Sequence, residues 1–203
     1  MLSLPAIEPH TLVLLRGIMD SPLFAGQRLV GGTALALQLG HRRSIDLDLF
    51  GKITCDNDEL QDGLRQLGTL SVRKESPNIK IYTVNDIKVD FVNYPYEWID
   101  DMVVEDSIRL ASPKDIAAMK VNAIQGRGSK KDFVDMYFLL RRFTLPEIMD
   151  FYRQKYPDHS VFRAIMSLTY FADADQQASP EMLLAVSWEE MKESIAAEVR
   201  KFQ

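Results

Sequence analysis

The chain has 203 residues, 46% apolar and 26% charged, which excludes a disordered polymer and allows one large domain or two small ones. Its net charge of −5 argues against binding nucleic acid through bulk charge, and its single cysteine, Cys55, excludes an internal disulfide and suits a reducing cytoplasm. No apolar run is long enough to span a bilayer, and the apolar start is broken by Pro5, Glu8, Pro9 and Arg16, so neither a membrane anchor nor a signal peptide is expected.

Leu12, Leu15 and Met19 recur at helical spacing and predict a helix over 9–20. A short strand at 28–30 feeds Gly31-Gly32, and a helix over 33–39 is closed by Gly40. A strand over 45–50 alternates Ile45, Leu47 and Leu49 with Asp46 and Asp48. A helix over 56–67, capped by Asp56 or Asn57, precedes β-like runs at 69–75, 79–84 and 87–93, the last two flanking an Asn85-Asp86 turn. Ser112-Pro113-Lys114-Asp115 starts a helix that reaches Ile124 and breaks at Gly126 and Gly128. A second helix from about Ser129 buries Phe133, Met136, Tyr137 and Leu140, and a third opens on the Thr144-Leu145-Pro146-Glu147 capping box. Helices over 160–172 and 187–202 follow, the last with Trp188, Met191, Ile195 and Val199 on one face. The chain therefore reads as an α+β half over 1–110 and a helical half over 111–203.

The chemistry concentrates in residues 31–50. Gly31 and Gly32 let the backbone approach a phosphate and aim N–H groups at it. Asp46 and Asp48, two apart in an extended run, share one face and repel unless a cation lies between them. At 87–92, Lys88 and Asp90 share one face while Ile87, Val89 and Phe91 share the other. Placed beside 45–50 in one sheet, Asp90 becomes a third carboxylate, able to help hold magnesium ions against a triphosphate and to act as general base for an acceptor hydroxyl. Residues 114–142 carry seven basic and three acidic side chains, a local cationic segment in an acidic protein that suits either an RNA backbone or NTP phosphates.

Gly31-Gly32-Thr33, Asp46-x-Asp48 and a later strand aspartate resemble the nucleotidyltransferase fold of the DNA polymerase β superfamily. The extended pattern Gly-Gly-Thr…Gly-His-Arg-x-Ser-x-Asp-Leu-Asp-Leu-Phe is similar to the AbiEii/AbiGii toxin family, and Ser112-Pro113-Lys114-Asp115, Lys120, Arg127 and Lys131-Asp132-x-x-Asp135 follow in that family's order. The resemblance covers roughly residues 25–142. It implies a mixed sheet with flanking helices, then a C-terminal helical bundle that completes the nucleotide site. By position it implies Gly32, Thr33, Arg42 and Ser44 as nucleotide contacts. Asp46, Asp48 and Asp90 would be the metal acids, with magnesium or manganese as cofactor. Lys120 and Arg127 would contact phosphates, and Asp132 or Asp135 would be a late essential acid. It further implies NMP transfer from an NTP, GTP or CTP among them, to RNA, a tRNA 3′ end included, and a cognate antitoxin.

Each feature also has an ordinary reading. Gly-Gly before a helix is often a tight turn, and Asp-x-Asp is often a solvated strand edge. Arg43 reads as a surface charge and His41 as a helix-end residue. Lys120 and Arg127 read as a solvated stripe, and Asp132 and Asp135 as helix-dipole partners or as counter-ions of Lys131 or Lys120. Tyr94, Tyr96 and Trp98 read as packing rather than a base platform. A nucleotide-binding module without transfer activity is one rival function, against which three intact carboxylates count. Transfer of NMP to a protein hydroxyl is another, and would use the same residues.

Overall fold

Alternation at 79–84 and 87–93 becomes a hairpin whose tight turn is Asn85-Asp86, both at positive φ as a two-residue hairpin loop requires. The computed structural model describes residues 1–202. The chain divides into two compact units: Met1–Pro95 with Met102–Ala111, and Tyr96–Asp101 with Ser112 onward.

The first unit is built on one mixed sheet. Its strands are β1 (Gln27–Leu29), β2 (Leu47–Gly51), β3 (Leu70–Glu75), β4 (Ile79–Val84), β5 (Ile87–Asn93), β6 (Val103–Glu105) and β7 (Ile108–Leu110), in the order β3-β4-β5-β2-β1-β7-β6. β2 runs parallel to β5 and antiparallel to β1, and β1 runs parallel to β7. Three helices belong to this unit: α1 (Pro9–Asp20), α2 (Gly31–Leu39) and α3 (Asn57–Arg65). The core is the inward face of the strands, with Leu29, Leu47, Leu49, Tyr82, Val89, Phe91 and Leu110 all fully buried. Phe91 packs on Phe24 at 5.2 Å between ring centroids, and burying one such ring contributes about 1.5–3 kcal/mol. Arg109 ties three carbonyls together, donating to Gln27, Met19 and Phe24.

The structure differs from the sequence reading here in two places. The strand expected from Ile45 begins at Leu47, leaving Ile45 exposed and Asp46 just ahead of the strand. The ladder sets the start: β1 stops at Leu29 opposite Leu49, and the first paired residue of β2 is Leu47, opposite Val89 of β5. The short hairpin β6–β7 was not anticipated. Its turn is Asp106-Ser107, again with both residues at positive φ.

The second unit carries α4 (Pro113–Gly126), α5 (Lys130–Leu140), α6 (Leu145–Lys155), α7 (Val161–Ser167), α8 (Ala172–Asp175) and α9 (Trp188–Phe202). Capping chemistry starts two of them as read: Ser112 accepts from the Asp115 N–H, and Thr144 with Glu147 forms a full capping box. On α5 the fully buried apolar side chain near the end is Leu139, not Leu140. The helix expected over 160–172 ends at Ser167, where Thr169 and Tyr170, two poor helix formers, follow. Segment 96–101 is pinned to the helices by a buried pair. Lys155 donates to Asp115 at 2.7 Å and to the Glu97 carbonyl at 2.9 Å, beneath the Trp98 ring, while Asp115 also accepts from the Ile99 N–H. Tyr96 packs edge-on against Tyr156 and, in the first unit, Tyr94 against Phe50, so this aromatic run is packing.

Candidate active site

The Gly-Gly turn and the Asp-x-Asp run are folded into one another. Gly31 sits at φ 67°, and a Cβ there would lie 2.6 Å from Asp48 Oδ2. Both facts demand glycine, the first on backbone grounds and the second because the carboxylate occupies the space. The Val30 N–H donates to the Asp48 carbonyl at 2.8 Å, fixing the turn to the strand. One step on, Thr33 Oγ1 lies 2.5 Å from the Asp46 carbonyl and 2.8 Å from Ser44 Oγ. A hydroxyl has one proton, so with Thr33 donating to the carbonyl the Ser44 hydroxyl donates to Thr33. Thr33 and Ser44, expected as nucleotide contacts, thus also lock the start of α2 to the approach of β2. No side chain caps α2, whose N-cap is Val30. The first N–H groups of a helix lack intrahelical partners, so this uncapped start beside Gly31 and Gly32 is suited to an anion.

The parallel pairing of β2 with β5 puts Asp48 directly opposite Asp90. Asp90 is largely buried, and its two oxygens differ: Oδ2 accepts from Lys88 Nζ at 2.6 Å, while Oδ1 is buried with no hydrogen-bond partner. Burial works against the charge on Lys88, but Asp90, and at longer range Asp48 and Asp46, outweigh it and raise its pKa. Lys88 therefore pairs with Asp90 and feels Asp48 and Asp46 only at longer range. It was read only as a neighbour of Asp90 on one strand face; the i, i+2 spacing carried the signal. Among the described residues no three His, Cys, Asp or Glu side chains are gathered as a metal ion would gather them. The donor chemistry nonetheless fits a hard cation: all-oxygen carboxylates, one with an orphaned buried oxygen, beside a backbone that leaves no room for a Cβ.

Arg42 is buried and donates to the Arg43 carbonyl at 2.9 Å, so its guanidinium is engaged by the chain itself, and Arg43 pairs with Glu8 on the surface. His41 is fully buried just beyond α2.

In the helical unit, the expected basic and acidic residues form one network. Lys120 Nζ lies 2.9 Å from Asp132 Oδ1 and 2.5 Å from Asp135 Oδ2, and both carboxylates are completely buried. Asp132 also accepts from Arg127 Nε at 2.8 Å and Nη2 at 3.0 Å, and from Ser129 Oγ at 2.5 Å. Burial pushes the Asp132 pKa up, but Lys120, Arg127 and Ser129 prevail and hold it well below the usual carboxylate range. Asp132 and Asp135 thus act together on Lys120, and Lys120 is no solvated stripe. Arg127, by contrast, stays 61% exposed while it holds Asp132.

A family model for the nucleotidyl transferase AbiEii toxin of type IV toxin–antitoxin systems matches residues 13–203. A curated protein of Aquifex aeolicus (strain VF5) is 32% identical over 180 residues, 86% of each chain. JHP933 from Helicobacter pylori has a similar structure, with a TM-score of 0.61 at 19% identity over 99% of this chain and 93% of that one. MenT4, a nucleotidyltransferase toxin from Mycobacterium tuberculosis H37Rv, gives a TM-score of 0.52 at 12% identity over 96% of this chain and 82% of its own.

Proposed function

The chain belongs to the AbiEii family of nucleotidyltransferase toxins, and from that premise we propose that it moves NMP from an NTP to a hydroxyl of RNA, tRNA included. The observation that carries the proposal is Asp48 directly opposite Asp90 on paired strands, with Asp46 just ahead of β2, next to the uncapped start of α2. Three carboxylates beside an anion-binding turn are what a triphosphate and its cation require; a binder without transfer activity has no use for the third acid.

In this reading the N–H groups at Gly31, Gly32 and the first turn of α2 hold NTP phosphates. Magnesium or manganese held by Asp46, Asp48 and Asp90 would neutralise the triphosphate and favour departure of pyrophosphate. Asp90 accepts the proton of the acceptor hydroxyl. The acceptor oxygen bonds to the α-phosphorus while the bond from that phosphorus to the bridging oxygen breaks, releasing pyrophosphate. A cognate antitoxin and a cytoplasmic setting accompany the family role.

Incubating the protein with each α-labelled NTP, magnesium, total RNA and lysate, beside Asp48→Ala, tests this. Label in RNA that disappears in D48A is expected. Label in protein alone would replace RNA by a protein hydroxyl as acceptor. Nucleotide binding without any label would remove transfer altogether.

A further inference from the structure

Outside the acidic clusters, the helical unit has a cavity of about 420 Å³ between the end of α4 and the end of α7. Its walls include Gln125, Arg127, Met166, Tyr170 and Asp173. Two of these are large apolar side chains left in the open: Tyr170 is 60% exposed and Met166 is 50% exposed. Phe162, one helical turn before Met166 on the same face of α7, is 73% exposed. Three such side chains at four-residue intervals, none of them buried, form an unpartnered strip beside a concave seat.

We infer that this cavity seats an unstacked nucleotide of the acceptor RNA. The chemistry is that of a base-stacking site: an aromatic face on Tyr170, a polarisable thioether on Met166, and a guanidinium on Arg127 for the adjoining phosphate. The polar walls suit a base edge. Gln125 Oε1 accepts from the Tyr152 hydroxyl at 2.7 Å, which leaves its NH₂ end as the donor side, and Asp173 supplies an exposed acceptor. A groove for a partner protein's helix would instead need apolar walls on both sides. Here the α4 end contributes Gln125, Gly126, Arg127 and Gly128, and its one apolar side chain, Ile124, is almost wholly buried. Phe162, next along α7, is the platform for a neighbouring base.

The inference rests on RNA as the acceptor. Its test therefore reads binding alone, with no NTP and no metal: the full chain titrated into a short fluorescein-labelled single-stranded RNA, followed by anisotropy. Tyr170→Ala is expected to weaken binding about ten-fold, the loss typical of one stacked base, with Tyr170→Phe close to wild type. Phe162→Ala should weaken it less, and NTP affinity by calorimetry should stay unchanged in all three. Because these side chains are exposed, melting temperatures should not move. Equal RNA affinity for wild type and Y170A overturns the inference, as does a loss of NTP binding in Y170A in place of RNA binding. So does a photo-crosslinker at position 162 that captures a protein rather than RNA when both are offered. A wild-type chain that binds RNA through Tyr170 yet transfers nothing refutes the transfer reading alone. A chain that labels RNA while Y170A binds and labels equally well refutes the cavity alone.

Discussion

Lys120→Met separates a buried ionic network from a solvated lysine. In the wild-type chain, Lys120 holds Asp132 and Asp135, and all three side chains are essentially out of water. Methionine fills the volume of the lysine stem but leaves two buried carboxylates without the ammonium that balances them. Asp132 keeps Arg127 and Ser129, whereas Asp135 loses the ammonium 2.5 Å from its Oδ2. Removing one partner of a buried ion pair costs about 3–5 kcal/mol at neutral pH. For a chain of this size that is a fall in melting temperature of about 10 °C. The pH dependence carries the sharper test. In wild type, the depressed Asp132 pKa contributes stability present above the ordinary value of 3.8 and lost as pH falls through the folded value. In K120M, desolvation raises the Asp135 pKa above its unfolded value, so the penalty is complete only above that raised pKa and recedes in acid. The stability gap between wild type and variant should therefore narrow by about 1.4 kcal/mol per pH unit on the way down towards pH 4. Urea unfolding at a series of pH values measures it. A gap that stays constant with pH, or a K120M chain as stable as wild type, refutes the buried network. K120M combined with Asp135→Asn should recover most of the loss at neutral pH.

Gly31→Ala forces a left-handed residue and a Cβ against Asp48 Oδ2, so a stability loss of about 1–2 kcal/mol should accompany a much larger loss of NMP transfer; normal turnover would show that the turn tolerates a side chain. Lys88→Met removes the ammonium paired with Asp90, and Mn²⁺ affinity measured by calorimetry should rise several-fold if the proposed metal site is right; unchanged affinity would mean that Lys88 does not compete for it. Lys155→Met leaves the fully buried Asp115 without its ammonium, which should cost about 3–5 kcal/mol and open segment 96–101 to limited proteolysis; an unaltered cleavage pattern would contradict its role as the pin.

The features readable in the sequence were those set by neighbours close along the chain. Asp56 with Glu59, and Thr144 with Glu147, announce helix starts because both capping partners sit within one turn. Asn85-Asp86 announces its hairpin because the turn residues adopt positive φ whatever the rest of the sheet does. Asp106-Ser107 carried the same signal but was overlooked, since three-residue strands give no alternation to flank it. The start of β2 could not be read locally, because its first paired residue, Leu47, takes its partner Val89 from β5, 42 residues later. The pairing of Lys155 with Asp115 across 40 residues was equally invisible; a lysine at the end of an amphipathic helix looks solvated until its neighbours are known.

The same distinction separates the two lysines that sit among aspartates. Lys120 and its two carboxylates are almost wholly out of water, so the ammonium can leave only by stranding buried charge. Lys88 is 46% exposed, and its partner Asp90 keeps a second oxygen unbonded. Lys88 can thus reach solvent, but Asp90 needs another cation when it leaves, and the carboxylate it releases is already positioned opposite Asp48. Sequence spacing places both lysines beside acids and cannot rank them. Burial does: the Lys120 cluster is a fixed strut of the helical unit, whereas Lys88 is the replaceable charge, whose place beside Asp90 the cation of the proposed reaction would take.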